Sequence, residues 1–497
     1  MRIMFLCRGA EYLGVEYLSA CLKAKGHQTD LCFDPGFDDT FYFRAPFLKR
    51  LNRWPALIER VKRFAPDVLA VSSLTNTYPY VLRLVREIKR AYPCYTVIGG
   101  IHATAIPEAV LQETVFDAVC VGEGEEALAE LVERLAAGDD PTTVNNFCFR
   151  SEGAVVRNPM NPLLQDLDAL PFADKALFHR YGAFSTTMTV LSGRGCPFSC
   201  SFCVNDSHRR LYRGQGSYVR LYSPERMIEE LRYHLRTLPV TSFNFQDDIL
   251  TIDATWLERF SELYARHIGR PFQCNVHPKF AGDDVVRLLK AAGCTSVCMG
   301  VQSAVPRVRR EQMRRTETNA EIEAAVALFK KHRLPVCLEY IFGMPGETYE
   351  DIRENFAFNR KLNPGNTSTF VLYPFPGTTV FESLRTSGRL DDETAAKIYS
   401  GDGSYHYDSL LALPEKSLSD SAKALFPALT KLPLGLSLML FRALSGQGLG
   451  WLRTGIGLMF LPFNNFFQFQ ERMWNYVRMY QCRAGGGNTD DDPPGQR

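Results

Sequence analysis

The sequence predicts an α/β protein made of two successive runs of alternating strand and helix, closed by a helical C-terminal region. Two observations carry that prediction. Short apolar, β-branched segments recur between amphipathic stretches from residue 2 to about 135, and the same rhythm resumes from 187 to about 390. A third gives the second run its chemistry: Cys196, Cys200 and Cys203 stand as C-x3-C-x2-C in GRGCPFSCSFC, directly after TMTVLS (187–192).

In the first run, strands are predicted at 2–7, 28–33, 68–72, 95–98 and 118–121. Helices are predicted at 17–25, with Gly26 as C-cap, at 80–91 and at 126–135. This rhythm means a doubly wound parallel sheet that binds ligands at the carboxyl ends of its strands. No G-x-G-x-x-G follows the first strand, so a nicotinamide site loses its main support. Residues 136–184 read as an irregular connector with repeated Pro and Asp. In the second run, strands are predicted at 187–192, 241–245, 272–276, 296–301 and 336–342. Ser223-Pro224-Glu225 opens a helix.

Composition fits a large intracellular enzyme. The 497 residues suggest about three domains. They are 45% hydrophobic and 23% charged, ordinary globular values. A net charge of +2 gives no electrostatic reason to expect nucleic acid or an acidic membrane as the main partner. The fourteen cysteines are scattered, several singly in apolar runs (Cys120, Cys337), unlike a disulfide framework. The N-terminus begins with a strand and shows no signal-peptide pattern, so a reducing cytoplasm is expected.

Three thiolates on one short loop can hold three irons of a 4Fe–4S cluster and leave the fourth iron open. Zinc would want a fourth ligand at short spacing, and His208 sits awkwardly far along. Three buried thiols packed as small apolar groups is the alternative reading, but a loop broken by Gly193, Gly195 and Pro197 is a poor place to bury them.

The spacing, with Phe202 before the last cysteine, resembles the radical S-adenosylmethionine (SAM) superfamily. The resemblance implies that Cys196, Cys200 and Cys203 ligate the cluster, that its open iron chelates SAM, and that Phe202 lies against the adenine. It implies a partial (β/α)6 barrel with chemistry at the carboxyl ends. Phe245-Gln246-Asp247-Asp248 resembles the family's F-x-D-D, which places Asp247 and Asp248 near SAM or a neighbouring loop; helix capping is the competing role. Gly300-Val301-Gln302-Ser303 resembles G-I-E-S, whose acid meets the ribose or amino group of SAM, and here that acid is a glutamine without charge. GMPGET (343–348) and YPFPGT (373–378) match further turns of the family, with Glu347 expected as a helix-start acid.

The first run resembles a cobalamin (B12)-binding domain with a Rossmann-like sheet. Ser72-Ser73-Leu74 stands for its S-x-L, Gly99-Gly100 begins GGIHAT with His102, and Gly122-Glu123 belong to VGEGE. These residues are the expected cobalamin contacts, because small residues let a bulky ligand approach the sheet. The D-x-H-x-x-G motif that gives cobalt a lower histidine is absent, and the loop reads CRGAEYLG. Cobalt without a protein histidine below it is expected.

The expected domains are 1–137 (cobalamin), 138–184 (linker), 185–395 (radical SAM core), 396–483 (helical, with breaks at Pro414 and Pro427) and 484–497 (disordered tail). The run 454–470 is interrupted by Pro462 and Asn464-Asn465, too short for a membrane span; a lid is one reading and a peripheral lipid-facing surface the other. The resemblance implies a cobalamin-dependent radical SAM enzyme, with methyl transfer to an unactivated carbon favoured. A first SAM would methylate cobalt and a second would yield the 5′-deoxyadenosyl radical that abstracts substrate hydrogen. Cyclisation or oxidation without methyl transfer is the alternative. A methylthiotransferase would need a second cluster, and a non-catalytic carrier would not need the cysteine triad. The substrate would be a small molecule, lipid or peptide, and the electron donor a flavodoxin or ferredoxin. No nucleic acid is expected.

Overall fold

The computed structural model describes residues 1–36, 53–151, 153–404, 410–412 and 416–445. The calls for 446–483 and for the tail at 484–497 lie outside the described residues.

The N-terminal sheet contains β1 (Arg2–Arg8), β2 (Gln28–Asp34), β3 (Val68–Ser72), β4 (Tyr95–Gly99), β5 (Ala118–Cys120), β6 (Phe147–Ser151) and β7 (Ala154–Arg157). Its order is β2-β1-β3-β4-β5-β6-β7. The first five strands pair in parallel in the 2-1-3-4-5 order of a doubly wound sheet, which puts its ligand crevice beyond the ends of β1 and β3. Both faces are covered, as parallel sheets require. Ile3, Phe5 and Cys7 pack on one side, and Met4 and Leu6 on the other.

The start of the expected linker is not irregular: β6 and β7 extend the sheet antiparallel from β5. Their short, polar-flanked sequences carry little strand signal. The helix Trp54–Phe64 was also not read from the sequence; only Leu57 and Val61 are buried on it, a stripe too narrow to stand out.

The second half holds β8 (Thr187–Val190), a ribbon of β9 (Gly193–Arg194) with β10 (Arg220–Leu221), then β11 (Ser242–Phe245), β12 (Phe272–Val276), β13 (Cys294–Gln302), β14 (Val336–Phe342) and β15 (Asn366–Val371). Apart from the ribbon, these strands form one all-parallel sheet in the order β15-β14-β13-β12-β11-β8, the predicted partial (β/α)6 barrel. Alternation sorts its residues. Met188, Phe243, Phe245, Phe272, Met299, Leu338 and Tyr340 are buried in the core beneath the outer helices. The intervening Thr189, Asn244, Asn275, Cys298, Glu339 and Ser368 turn inward, so the barrel lumen is polar.

The helix Lys416–Leu429 packs on β14 and β15. Pro427 does not break it, contrary to expectation. Proline removes the N–H that would bond the carbonyl of Lys423, and the hydroxyl of Thr369 on β15 donates to that carbonyl instead, at 2.7 Å.

A buried cation ties the halves together. Lys175, 2% exposed, donates to Glu11 of the first domain (2.8 Å) and to the carbonyl of Thr189 on β8 (2.5 Å), and forms an ion pair with Glu16 (2.5 Å). Burial pushes the carboxyl of Glu16 well up, Lys175 pulls it back, and Glu11 adds to the rise. Lys175→Met is expected to cost about 3 kcal/mol or more of stability, because it strands two buried carboxyl groups. Without the cation the carboxyl of Glu16 rises further above its unfolded value, so the deficit should grow as pH rises from 5 to 7. Denaturant midpoints at the two pH values measure it.

Candidate active site

The cysteine loop leaves the first barrel strand and is braced by the β9–β10 ribbon. Gly195 has a φ of +86°, and a Cβ there would collide with the carbonyl of Tyr218, so the turn into Cys196 needs glycine. Cys203 N donates to the carbonyl of Cys200 at 3.0 Å, and the helix Val204–Leu211 starts at once. Cys200 is buried, while Cys196 and Cys203 are half-buried. Nδ2 of Asn205 lies 3.6 Å from Sγ of Cys203, and Nη1 of Arg315 3.9 Å from Sγ of Cys200. Burial raises the Cys196 thiol to about 12 and that of Cys203 to about 11, with Asp248 and the neighbouring thiols adding to the rise.

These residues fit a four-iron cluster. Among the described residues no group of three His, Cys, Asp or Glu side chains is gathered as a single ion would need. A cubane asks for something else, one thiolate on each of three irons. Hydrogen-bond donors beside the sulfurs suit it, since bonds to the sulfurs tune such clusters.

The expected SAM residues divide. Phe202 is half-buried against the cluster of Val305, Met344 and Tyr373. Both oxygens of Asp247 accept from Ser192, at 2.8 to 3.0 Å, joining the ends of β8 and β11; burial still lifts this carboxyl to about 6. Ser303 is buried, its hydroxyl accepting from Val305 N at 3.2 Å. Asp247 and Ser303 are therefore braces. Asp248 remains open to solvent, though enough protein surrounds it to raise its carboxyl. Gln302 has left-handed backbone (φ +61°) after an irregularity in the β13–β14 pairing, and its buried Oε1 has no hydrogen-bond partner among the described residues. Such strain in a non-glycine residue is a mark of functional sites. Glu347 accepts from Gly343 N at 2.6 Å, while Thr348 and Asp351 form the capping box of the next helix.

At the first domain's strand ends, a Cβ on Gly100 (φ +95°) would stand 2.8 Å from the carbonyl oxygen of Ser73 and 3.2 Å from Oγ of Ser72. Gly99, Gly100, Ser72 and Leu74 are partly accessible, and the buried Oγ of Ser73 has no hydrogen-bond partner among the described residues. A cradle with no spare room for a side chain and an unmet hydroxyl suits a ligand tail laid along β3 and β4. His102 is fully buried, Nδ1 3.3 Å from Oγ1 of Thr75 and its ring 4.4 Å from that of Tyr78. Burial lowers its pKa to about 4. The neutral ring is therefore favoured by folding, and this contribution is full above pH 6.5 and lost as pH falls toward 4. Between pH 7 and pH 5 the loss should be about 2 kcal/mol. His102→Gln should flatten that dependence in denaturant titrations.

Gly122 N donates to Oγ1 of Thr104 (3.0 Å), whereas Glu123 does other work than that expected of it. Its carboxylate binds Arg220 at 2.6 Å and Arg194 at 3.3 Å, and Glu125 binds Arg194 at 2.6 Å. Its N–H donates to the hydroxyl of Tyr212 at 2.6 Å. Glu123 thus clamps the first domain to the ribbon that braces the cysteine loop. No sequence signal marks Arg194 and Arg220 as its partners. In the loop without the histidine motif, Glu11 is held by Lys175.

The two domains meet beside the cysteine loop. Ala105, ending the helix after Gly100, and Ser207, on the helix after Cys203, both border the Cβ position of Gly377 at 3.8 and 3.9 Å. Arg210 donates to the carbonyl of Gly377 (2.6 Å), and Thr379 to Asp206 (2.6 Å). The helix that follows Gly99-Gly100 and the helix that follows the cysteine loop thus meet at Gly377.

The model of the B12 binding domain matches residues 10–132, and that of the radical SAM superfamily residues 190–358. The chain is 28% identical to an uncharacterized methyltransferase of Pyrococcus horikoshii, covering 65% of this chain and 70% of that one. It is 26% identical to the anaerobic magnesium-protoporphyrin IX monomethyl ester cyclase of Rubrivivax gelatinosus, covering 77% and 70%. Its fold is similar to that of TsrM, a radical SAM methyltransferase from Kitasatospora setae solved with cobalamin and a 4Fe–4S cluster bound (TM-score 0.63, 19% identity, 78% and 75% covered). The chain belongs to the cobalamin-binding radical SAM enzymes, and its cofactors are a 4Fe–4S cluster, SAM and cobalamin.

Proposed function

We propose that this enzyme transfers a methyl group to an unactivated carbon of a small-molecule substrate. The observation that carries the reading is that the helix after Gly99-Gly100 and the helix after Cys203 both reach Gly377, at Ala105 and Ser207. When bound, cluster and SAM supply a 5′-deoxyadenosyl radical and cobalamin carries the methyl group. Cys196, Cys200 and Cys203 hold the cluster, with Asn205 and Arg315 beside the sulfurs. Asp248 and Gln302 face SAM from two strand ends, and Phe202 offers a ring for the adenine. Ser72, Leu74, Gly99, Gly100 and Gly122 border the cobalamin cradle. The ion pairs of Glu123 and Glu125 with Arg194 and Arg220 hold the domains closed, which keeps water from a reactive radical.

Cyclisation or oxidation without methyl transfer is the second reading, supported by the similarity to the Rubrivivax cyclase along 77% of the chain. Anaerobic turnover with methyl-deuterated SAM against small-molecule and lipid extracts separates the two. Label in the product supports methyl transfer; 5′-deoxyadenosine with an unlabelled, cyclised or oxidised product supports the second. A reducing cytoplasm and a flavodoxin or ferredoxin donor suit the cluster chemistry. Among the described residues no helix is long and apolar enough to cross a membrane. Peripheral lipid contact draws support from Leu436 (40% exposed) and Met439 (59%), one turn apart on the helix Leu434–Leu444.

A further inference from the structure

Along β14, Leu338 and Tyr340 are fully buried under the outer helices, so alternation turns Cys337, Glu339 and Ile341 into the lumen. The register sets Glu339 beside Gly300 on β13, and other groups gather at the same point. The amide of Gln302 folds back over Gly300, into the space a Cβ would need. Arg315 donates to the Gly300 carbonyl at 2.9 Å and reaches toward Cys200. That cation is already matched, because Glu317 binds it at 2.5 Å. Glu339 is different: among the described residues no hydrogen bond or ion pair holds its carboxylate. Burial raises its carboxyl, with Arg315 opposing from nearby. An unpaired acid inside a barrel is costly unless a ligand brings donors or positive charge to it.

Gln302, on the strand paired with β14, has no charge to offer. We propose that Glu339 supplies the missing carboxylate from the neighbouring strand: it accepts hydrogen bonds from the amino group of SAM, while the unpartnered Oε1 of Gln302 accepts from a ribose hydroxyl. The lumen then meets a ligand of net positive charge with a free carboxylate on the side of the barrel nearest Cys200. The inference rests on the SAM site of this family and not on methyl transfer, and the test reads no turnover.

The test is equilibrium binding of three ligands to the anaerobically reconstituted enzyme, with iron and sulfide content checked in every variant. SAM and S-adenosylhomocysteine carry the amino group; 5′-methylthioadenosine has the ribose and adenine but no amino acid. Glu339→Gln should weaken the first two about tenfold and leave the third unchanged. Gln302→Ala should weaken all three. Gln302→Glu placed in the Glu339→Gln background should restore SAM binding. Unchanged SAM affinity in Glu339→Gln, an equal loss for all three ligands, or no rescue by Gln302→Glu would overturn the assignment.

Discussion

The triple variant Cys196→Ala, Cys200→Ala, Cys203→Ala is expected to lose all cluster iron and all cleavage of SAM to 5′-deoxyadenosine, while still binding cobalamin. The loss should be complete rather than partial, because the remaining cysteines form no second set at this spacing. Cys274 and Cys294 stand 4.0 Å apart, but they belong to β12 and β13 beneath the outer helices. The fold should survive. The loop is set by Gly195, by the β9–β10 ribbon and by the bond between Ser201 N and the carbonyl of Met313 (3.1 Å), none of which needs a thiol. Retained cobalamin reports that survival. Iron and sulfide analysis with chromatography of the SAM products measures the effect, and residual cleavage would mean that other ligands hold the cluster.

Gly100→Leu is expected to do the reverse. At φ +95° a side chain is strained whatever room it has, and here the carbonyl oxygen of Ser73 stands 2.8 Å from the Cβ position. Either the Ser72–Leu74 turn moves or the glycine pair does, and both border the ligand cradle. Cobalamin affinity should fall at least about tenfold, equivalent to some 1.4 kcal/mol of lost binding. Cluster content and SAM cleavage should stay near wild type, since the cysteine loop is set by Gly195 and by the β9–β10 ribbon and not by the Gly99-Gly100 turn. Cobalamin retention on gel filtration and iron analysis of the same sample separate this outcome from general misfolding.

What was legible in the sequence follows from how local each feature is. The cysteine loop could be read in full, since its chemistry needs three residues on one short turn. The strands at 68–72, 272–276 and 336–342 were read with the bounds the structure gives them, because continuous apolar or alternating runs declare themselves. Contacts across long separations were not legible. Glu123 meets Arg220 across 97 residues and Lys175 meets Glu11 across 164, so an acid in a motif loop read as a ligand contact when it serves as a clamp. Glu339 was missed for a related reason: strand alternation gives a facing, but only the register shows that it stands beside Gly300 near Gln302. Asp247 was read as meeting SAM or a neighbouring loop, or as a cap, and the structure shows that Ser192, beyond the end of β8, takes both of its oxygens.

The central claim is that both cofactors act on one space, and magnetic interaction between them tests it most directly. The holoenzyme would be frozen at a potential where cob(II)alamin and the reduced cluster coexist, and the relaxation of the cob(II)alamin electron paramagnetic resonance signal measured. The account predicts faster relaxation and broadening in wild type than in the triple cysteine variant, which holds cobalamin alone. Identical cob(II)alamin signals in the two proteins, with the cluster shown to be present and reduced in wild type, would contradict it.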